Sequence, residues 1–147
     1  MTLWRTYYHI VWATRDRLPL IISSVESDLY GYVEAKSESL GCLLHAIGGM
    51  TDHVHLVVSI PPKLSISSFV KHIKGGSSRH MEATFPDLSF AWQREYGVFS
   101  LGAKQLPDAI AYVKNQKRHH SAQTLIHSLE PSSGAKIQSP PAAKDAG

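Results

Sequence analysis

Residues 52–60 read Asp-His-Val-His-Leu-Val-Val-Ser-Ile, and this stretch decides the architecture. Successive side chains of a strand point to opposite faces. His53 and His55 therefore share one face, and Val54, Leu56, Val58 and Ile60 share the other. The aliphatic face belongs to the core, which leaves the histidine face for another purpose. Pro61-Pro62 ends the strand. Before it, Gly48-Gly49 with Thr51-Asp52 reads as a turn, and Cys42 to Ile47 as the preceding strand.

Outward from this hairpin the pattern is equally regular. Residues 3–13 alternate and are rich in aromatic and β-branched types, which predicts a first strand broken by Arg15-Asp16-Arg17 and Pro19. Ser23 and Glu26 have capping-box spacing. Val25, Leu29, Tyr32 and Val33 then recur at helical intervals, with Gly41 as the stop. A second helix starts near Ser65, with Ile66, Phe69, Val70, Ile73 and Ser77 on one face and Lys71, Lys74 and Ser78 away from it. Gly75-Gly76 is costly there, about 1 kcal/mol per glycine in a helix interior. Either the helix breaks at that point or something approaches its backbone closely. Phe90 to Leu101 reads as one or two short strands, and a third helix runs from about Pro107 to His119.

The order β-α-β-β-α-β-α predicts an α+β fold. It is a ferredoxin-like, split βαβ antiparallel sheet with helices packed on one face and a further helix at the C-terminal end. Residues 1–120 form one expected domain. Residues 121–147, rich in Pro, Ser, Ala and Gly, form an expected flexible tail.

Composition narrows the class. A chain of 147 residues buries a core without disulfides, and Cys42, its only cysteine, cannot form one within the chain. A cytoplasmic location fits that. No apolar run approaches the roughly 18 residues that span a membrane. The opening MTLWRTYYHIVWATR lacks the order of a signal peptide. A net charge of +3 permits a nucleic-acid partner without demanding one.

His53 and His55 form half a site for a divalent metal, and a third ligand must come from elsewhere. His9 and His45, on other strands, are two options. The third helix offers another. Its apolar stripe is Leu106, Ala109, Ile110 and Val113. Tyr112 and Gln116, four apart, share a face about 110° from that stripe. The tyrosine is thus expected off the core and open to a cleft, with an amide oxygen beside it. Taken singly, a His-x-His pair, a tyrosine at a core edge and a surface glutamine are ordinary structural features. Together they carry a meaning that none has alone.

In this combination the chain resembles the single-tyrosine transposases of the HUH superfamily (His, bulky hydrophobic, His), including the REP-associated tyrosine transposases. His53-Val54-His55 matches the first motif, and Tyr112 with Gln116 matches the Tyr-x-x-x-Gln helix. The flanking text is also similar: the aromatic first strand, Gly48-Gly49-Met50-Thr51-Asp52, Phe69-Val70-Lys71-His72-Ile73-Lys74, and Trp92-Gln93-Arg94-Glu95-Tyr96. The likeness spans about residues 3–120. It implies metal binding by His53, His55 and Gln116, with Mg²⁺ or Mn²⁺ as the ion, and Tyr112 as nucleophile. It also implies single-stranded DNA, with or without hairpins, as substrate, and a homodimer whose tyrosine helix serves the partner's site.

A free phenol, pKa near 10, is a poor nucleophile at neutral pH. A divalent cation on the scissile phosphate withdraws charge and orients it for in-line attack. Attack would give a 5′-phosphotyrosine and a free 3′-OH, so rejoining needs no ATP, and no Walker-type motif is present. Glu95 and Asp108 are options for a general base. Lys71, Lys74, Arg79, Lys114, Lys117 and Arg118 are expected DNA contacts. Trp92 and Tyr96 suit either base stacking or core packing, and His119-His120 reads as a basic helix end.

Two rival classes remain. A histidine-triad hydrolase needs a third alternating histidine, where this chain has Val57, and a two-histidine phosphoesterase needs separated His-x-Thr/Ser motifs. A non-catalytic nucleic-acid-binding module derived from a transposase could dispense with His53, His55, Tyr112 and Gln116, yet all four are present.

Overall fold

The structure, a computed structural model, describes residues 3–117. The tail expected after residue 120 lies outside the described residues, as do Arg118, His119 and His120. The elements are β1 (Tyr7–Ala13), α1 (Ser23–Ser39), β2 (Leu43–Met50), β3 (His53–Ser59), α2 (Ile66–Thr84), β4 (Gly97–Leu101) and α3 (Leu106–Lys114). Their order is the one the sequence predicts. The four strands form one antiparallel sheet in the order β2-β3-β1-β4.

The alternation of β1 and β3 divides the molecule into layers. Ile10 and Trp12 of β1, with Val54, Leu56 and Val58 of β3, pack against Leu29 and Val33 of α1 and Phe69 and Ile73 of α2. This is the main core. The opposite face carries a smaller cluster, in which Ala46, Val57 and Leu101 meet Ala109 and Val113 of α3. Among the described residues two helices thus cover one face and α3 covers the other, with the histidines beneath it.

Local chemistry accounts for most boundaries. Ser65 caps α2, its hydroxyl accepting from the Ser68 amide at 3.0 Å, a bond worth about 1 kcal/mol. The expected capping box at Ser23 does not form. Ser23 is already helical, Ile22 holds the cap position, and no side chain bonds there. Burial of Val25, Leu29 and Val33 holds α1 instead.

One further expectation is corrected and two open ones are settled. Gly48 and Gly49 lie inside β2 rather than in its turn; α3 packs too closely on Gly48, and the β3 backbone at His53 too closely on Gly49, for a side chain. A Cβ on Gly48 would sit 2.0 Å from the Val113 carbonyl oxygen. Of the two readings of the glycine pair, a break or a close approach, the second holds, since α2 runs unbroken through it. Gly76 lets α1 approach, since a Cβ there would meet the Tyr32 hydroxyl at 2.1 Å. Of the one or two short strands expected over 90–101, one forms, Gly97–Leu101. Residues 91–93 make a short edge against the end of β1, with a single bridge between Thr14 and Trp92.

Candidate active site

Register brings three histidines together under α3. His53 lies opposite Ala13, His55 opposite Val11, and His9 opposite Val57. All three point to the α3 side and are buried. His9 Nε2 is 2.7 Å from His55 Nδ1. His53 Nδ1 is 2.8 Å from Asp52 Oδ1. Arg17 in turn binds Asp52 Oδ2, with Nη2 at 3.1 Å and Nε at 3.2 Å.

These bonds decide which nitrogen of each ring faces the site. An ionised carboxylate only accepts, so His53 Nδ1 donates to Asp52 and its Nε2 keeps the lone pair. His55 Nδ1 is held by His9, so Nε2 is the nitrogen it turns to a ligand. An imidazole backed through its other nitrogen is the usual arrangement around a metal. Burial pushes the Asp52 carboxyl up. The hydrogen bond and charge of His53 and the Arg17 guanidinium outweigh that, and the net shift is below the ordinary aspartate value.

The third helix supplies the remaining groups. Its start is set by Pro107 in the first turn. The Tyr112 ring lies 6.0 Å from the His55 ring and 6.5 Å from the His9 ring, edge-on to both. Gln116 follows one turn later, just beyond the cap residue Asn115. Its Nε2 donates to the Tyr112 carbonyl at 3.4 Å. Its Oε1 is buried and accepts no hydrogen bond.

The expectation that Tyr112 stands off the core is therefore corrected. Tyr112 is 5% exposed and Gln116 1%. The buried face of α3 is Ala109, Tyr112 and Val113, whereas Leu106 and Ile110 are only half-buried. The sheet beneath is polar at its histidines, so the helix turns its tyrosine edge down as well as its apolar one.

Among the described residues no group of three or more His, Cys, Asp or Glu side chains is arranged to hold a metal ion. The buried donors beneath and on α3 include the imidazoles of His53 and His55 and the amide oxygen of Gln116. A buried carbonyl oxygen without a partner costs about 1–3 kcal/mol. A divalent cation beside Gln116 Oε1 would remove that cost, so the residues fit the ion. His9 Nε2 meets His55 Nδ1, and His45 bonds Ser59 at the far end of β3.

A cleft of about 330 Å³ opens beside Gln116, lined by Glu26, Tyr30, Gly48, Lys114 and Lys117. Lys117 pairs with Glu26 across it. Tyr30 is a rival phenol, but burial and then the Glu26 charge raise its pKa above the tyrosine range. Cys42 is buried as well, and its thiol is pushed up to about 11.

The other expected residues sit apart. Lys71, Lys74 and Arg79 lie on α2, on the opposite side of the sheet from Lys114 and Lys117. Glu95 is in the loop before β4, where its carbonyl accepts from Lys74. Asp108 is exposed in the first turn of α3. Trp92 and Tyr96 are half-buried against the main core. The sequence reading missed Asp52 and Arg17 as supports of the site. The only local signal was an aspartate immediately before His53.

A tyrosine with a His-x-His pair is what the family resemblance implies, and comparison with known proteins supports the family. The family profile described as "Transposase IS200 like" matches residues 2–116. The chain belongs to the IS200-like transposases. It is 31% identical over 121 residues to the transposase for insertion sequence element IS200 of Salmonella typhimurium, covering 78% of this chain and 79% of that one. It is 26% identical over 115 residues to the ISDra2 transposase TnpA of Deinococcus radiodurans, covering 74% and 82%. A solved Deinococcus radiodurans structure, assigned as a transposase, superposes with a TM-score of 0.66 at 29% identity, covering 78% of this chain and 93% of that one. A REP-associated tyrosine transposase bound to a REP hairpin shares the fold, with a TM-score of 0.62 at 14% identity, covering 82% and 74%. As a single-tyrosine HUH transposase, this protein is an enzyme that cleaves DNA and transfers strands through a tyrosine.

Proposed function

We propose that Tyr112 is the nucleophile, that His53, His55 and Gln116 hold Mg²⁺ or Mn²⁺, and that the substrate is single-stranded DNA. One observation carries this reading. The Tyr112 ring is packed against His55, and one turn away the buried Gln116 Oε1 has no partner. A bound cation would draw charge from the non-bridging oxygens of the scissile phosphate and leave positions open for them.

The chain's own groups do the rest. The Tyr112 oxygen attacks phosphorus, the bond from phosphorus to the 3′-oxygen breaks, and a 5′-phosphotyrosine forms. The phenolic proton leaves, and the departing 3′-oxygen takes one up, so the step is balanced. The reverse attack by another 3′-OH rejoins the strand and restores the phenol. Edge-on packing against the His55 and His9 rings holds the phenol in place before the substrate arrives, which lowers the entropic part of the barrier.

Lys114 and Lys117, at the mouth of the cleft beside Gln116, contact the strand being cut, and Lys71, Lys74 and Arg79 contact it elsewhere. Arg118, outside the described residues, continues the basic run. The working form is a homodimer in which α3 serves the partner's histidines, using the contacts that each chain here makes with its own. Hairpins flanking the cut site are part of the proposed substrate. Among the described residues no helix is long and apolar enough to cross a membrane, and the proposed location is the cytoplasm.

The deciding experiment is a denaturing gel of labelled single-stranded DNA from around the protein's own gene, with and without Mn²⁺ or Mg²⁺. The expected result is a metal-dependent covalent adduct that Tyr112→Phe abolishes while DNA binding stays near normal. An adduct retained by Tyr112→Phe points to another nucleophile. Binding without any adduct from the wild type supports a non-catalytic module.

A further inference from the structure

A second cavity lies on the other side of the sheet. Between α2 and the loop before β4 is a cavity of about 510 Å³, within the range of small-ligand sites. Lys71, Lys74 and Arg94 surround it, and Trp92 and Tyr96 form an aromatic wall. It sits at the His53 end of the sheet, since Trp92 bridges to Thr14 and the neighbouring Ala13 pairs with His53.

Three features of this cavity bear on what it could hold. Gly75 lines it, in the interior of a continuous helix. Unlike Gly76, it has no packing reason to lack a side chain. Among the described residues, apart from its chain neighbours and the helix backbone, the only atom within 4 Å of a Cβ there is Arg79 Nη1, at 3.6 Å. The helix thus carries a glycine cost that nothing in the described fold explains.

The cations are the second feature. Among the described residues Lys71, Lys74 and Arg94 form no ion pair. Lys74 is held by two neutral acceptors, the carbonyls of Gln93 and Glu95. Burial lowers its pKa to about 8, against the opposing charge of Glu95. An anion at this position would repair that loss.

The aromatic wall is the third. Trp92 turns its N–H inward to Ser77 Oγ at 2.9 Å, and its other side-chain atoms are all carbon. It is braced edge-on by Trp12 and Phe90, at centroid distances of 5.7 Å and 4.7 Å. A rigid ring beside unpaired cations is the combination that holds a nucleotide taken out of its stack.

We propose that this cavity is a second DNA subsite, outside the Tyr112 centre, that holds one unpaired nucleotide of the substrate strand. Its phosphate lies at Lys71 and Lys74, and its base lies over Gly75 against Trp92 and Tyr96. The inference rests on single-stranded DNA being the substrate. A duplex keeps its bases stacked and cannot fill the cavity.

The test is fluorescence anisotropy of labelled single-stranded and duplex oligonucleotides with the full chain, in EDTA so that no cleavage occurs. Gly75→Leu fills the cavity and replaces glycine with a better helix former, so its Tm is expected to equal or exceed that of the wild type. It should weaken single-strand binding about tenfold and leave duplex binding unchanged. Lys71→Gln with Arg94→Gln should reduce the slope of log affinity against log salt by about 0.7 for each phosphate that is no longer neutralised. If the wild type binds single strands and both variants bind as tightly with the same slope, the subsite is overturned and the substrate assignment stands. Equal losses toward duplex overturn the base pocket. A wild type that binds no single strand removes the substrate assignment and the subsite together.

Discussion

Gly48→Ala is the sharpest test of how the fold positions Tyr112. The added methyl carbon would sit 2.0 Å from the Val113 carbonyl oxygen, 3.0 Å from the carbonyl carbon and 3.5 Å from Val113 Cγ1. Comfortable non-bonded contact begins near 3.5 Å. The first contact is with backbone, so no side-chain rotation relieves it, and β2 and α3 must part by about 1 Å or more. Tyr112 immediately precedes Val113 and moves with it. A displacement of about 1 Å at a reacting group costs on the order of 10²-fold in rate. Overpacking of this kind destabilises by about 1–3 kcal/mol, and each kcal/mol lowers Tm by about 2–4 °C in a chain of this size. The assay is the initial rate of covalent adduct formation at saturating DNA and metal, with Tm measured alongside. Gly31→Ala is the control. It lies in α1 with nothing within 4 Å of a Cβ, so it should gain about 0.5–1 kcal/mol and keep the wild-type rate. A Gly48→Ala protein with the wild-type rate and Tm would show that α3 is not seated on β2 in the working enzyme. A lowered Tm with an unchanged rate would break the link between that seat and the chemistry.

Asp52→Asn weakens the backing of His53, and Mn²⁺ affinity by calorimetry should fall about 10–100-fold; unchanged affinity would remove Asp52 from the site. Mixing Tyr112→Phe with His55→Ala tests exchange of α3 between protomers. Random dimers that share α3 should recover about one quarter of the wild-type adduct, and a mixture as inactive as its components would confine each site to one chain. Lys74 predicts a pH dependence. Its folded pKa, lowered by burial to about 8, lies below the ordinary 10.5. Between those values the unfolded chain binds the extra proton, so stability rises with pH across that window, and the penalty is complete below pH 8. Lys74→Met should flatten this rise in Tm measured from pH 7 to 10.5, and an identical profile would show that Lys74 is not buried as described.

The sequence by itself determined the order of elements, because apolar periodicity of two or about 3.6 residues is a local property. It separated the histidine face of β3 from the aliphatic face for the same reason, and the paired motifs marked Tyr112 and Gln116. What it could not settle were questions about neighbours distant in the chain. The glycines at 48 and 49 look like a turn until α3 is laid across β2, and only then is Gly48 explained by a carbonyl 65 positions away. The Tyr112 face looks solvent-facing on a lone helix, because periodicity reveals the apolar stripe but not the polar surface on which the helix rests. Arg17, Asp52 and His9 meet the site through strand register and a loop contact, and register is a product of the whole sheet. The cavity beside Gly75 needs a loop folded back over α2, and no window of sequence contains both walls. Local pattern is encoded residue by residue, whereas the site is built from contacts that exist only after the chain has closed on itself.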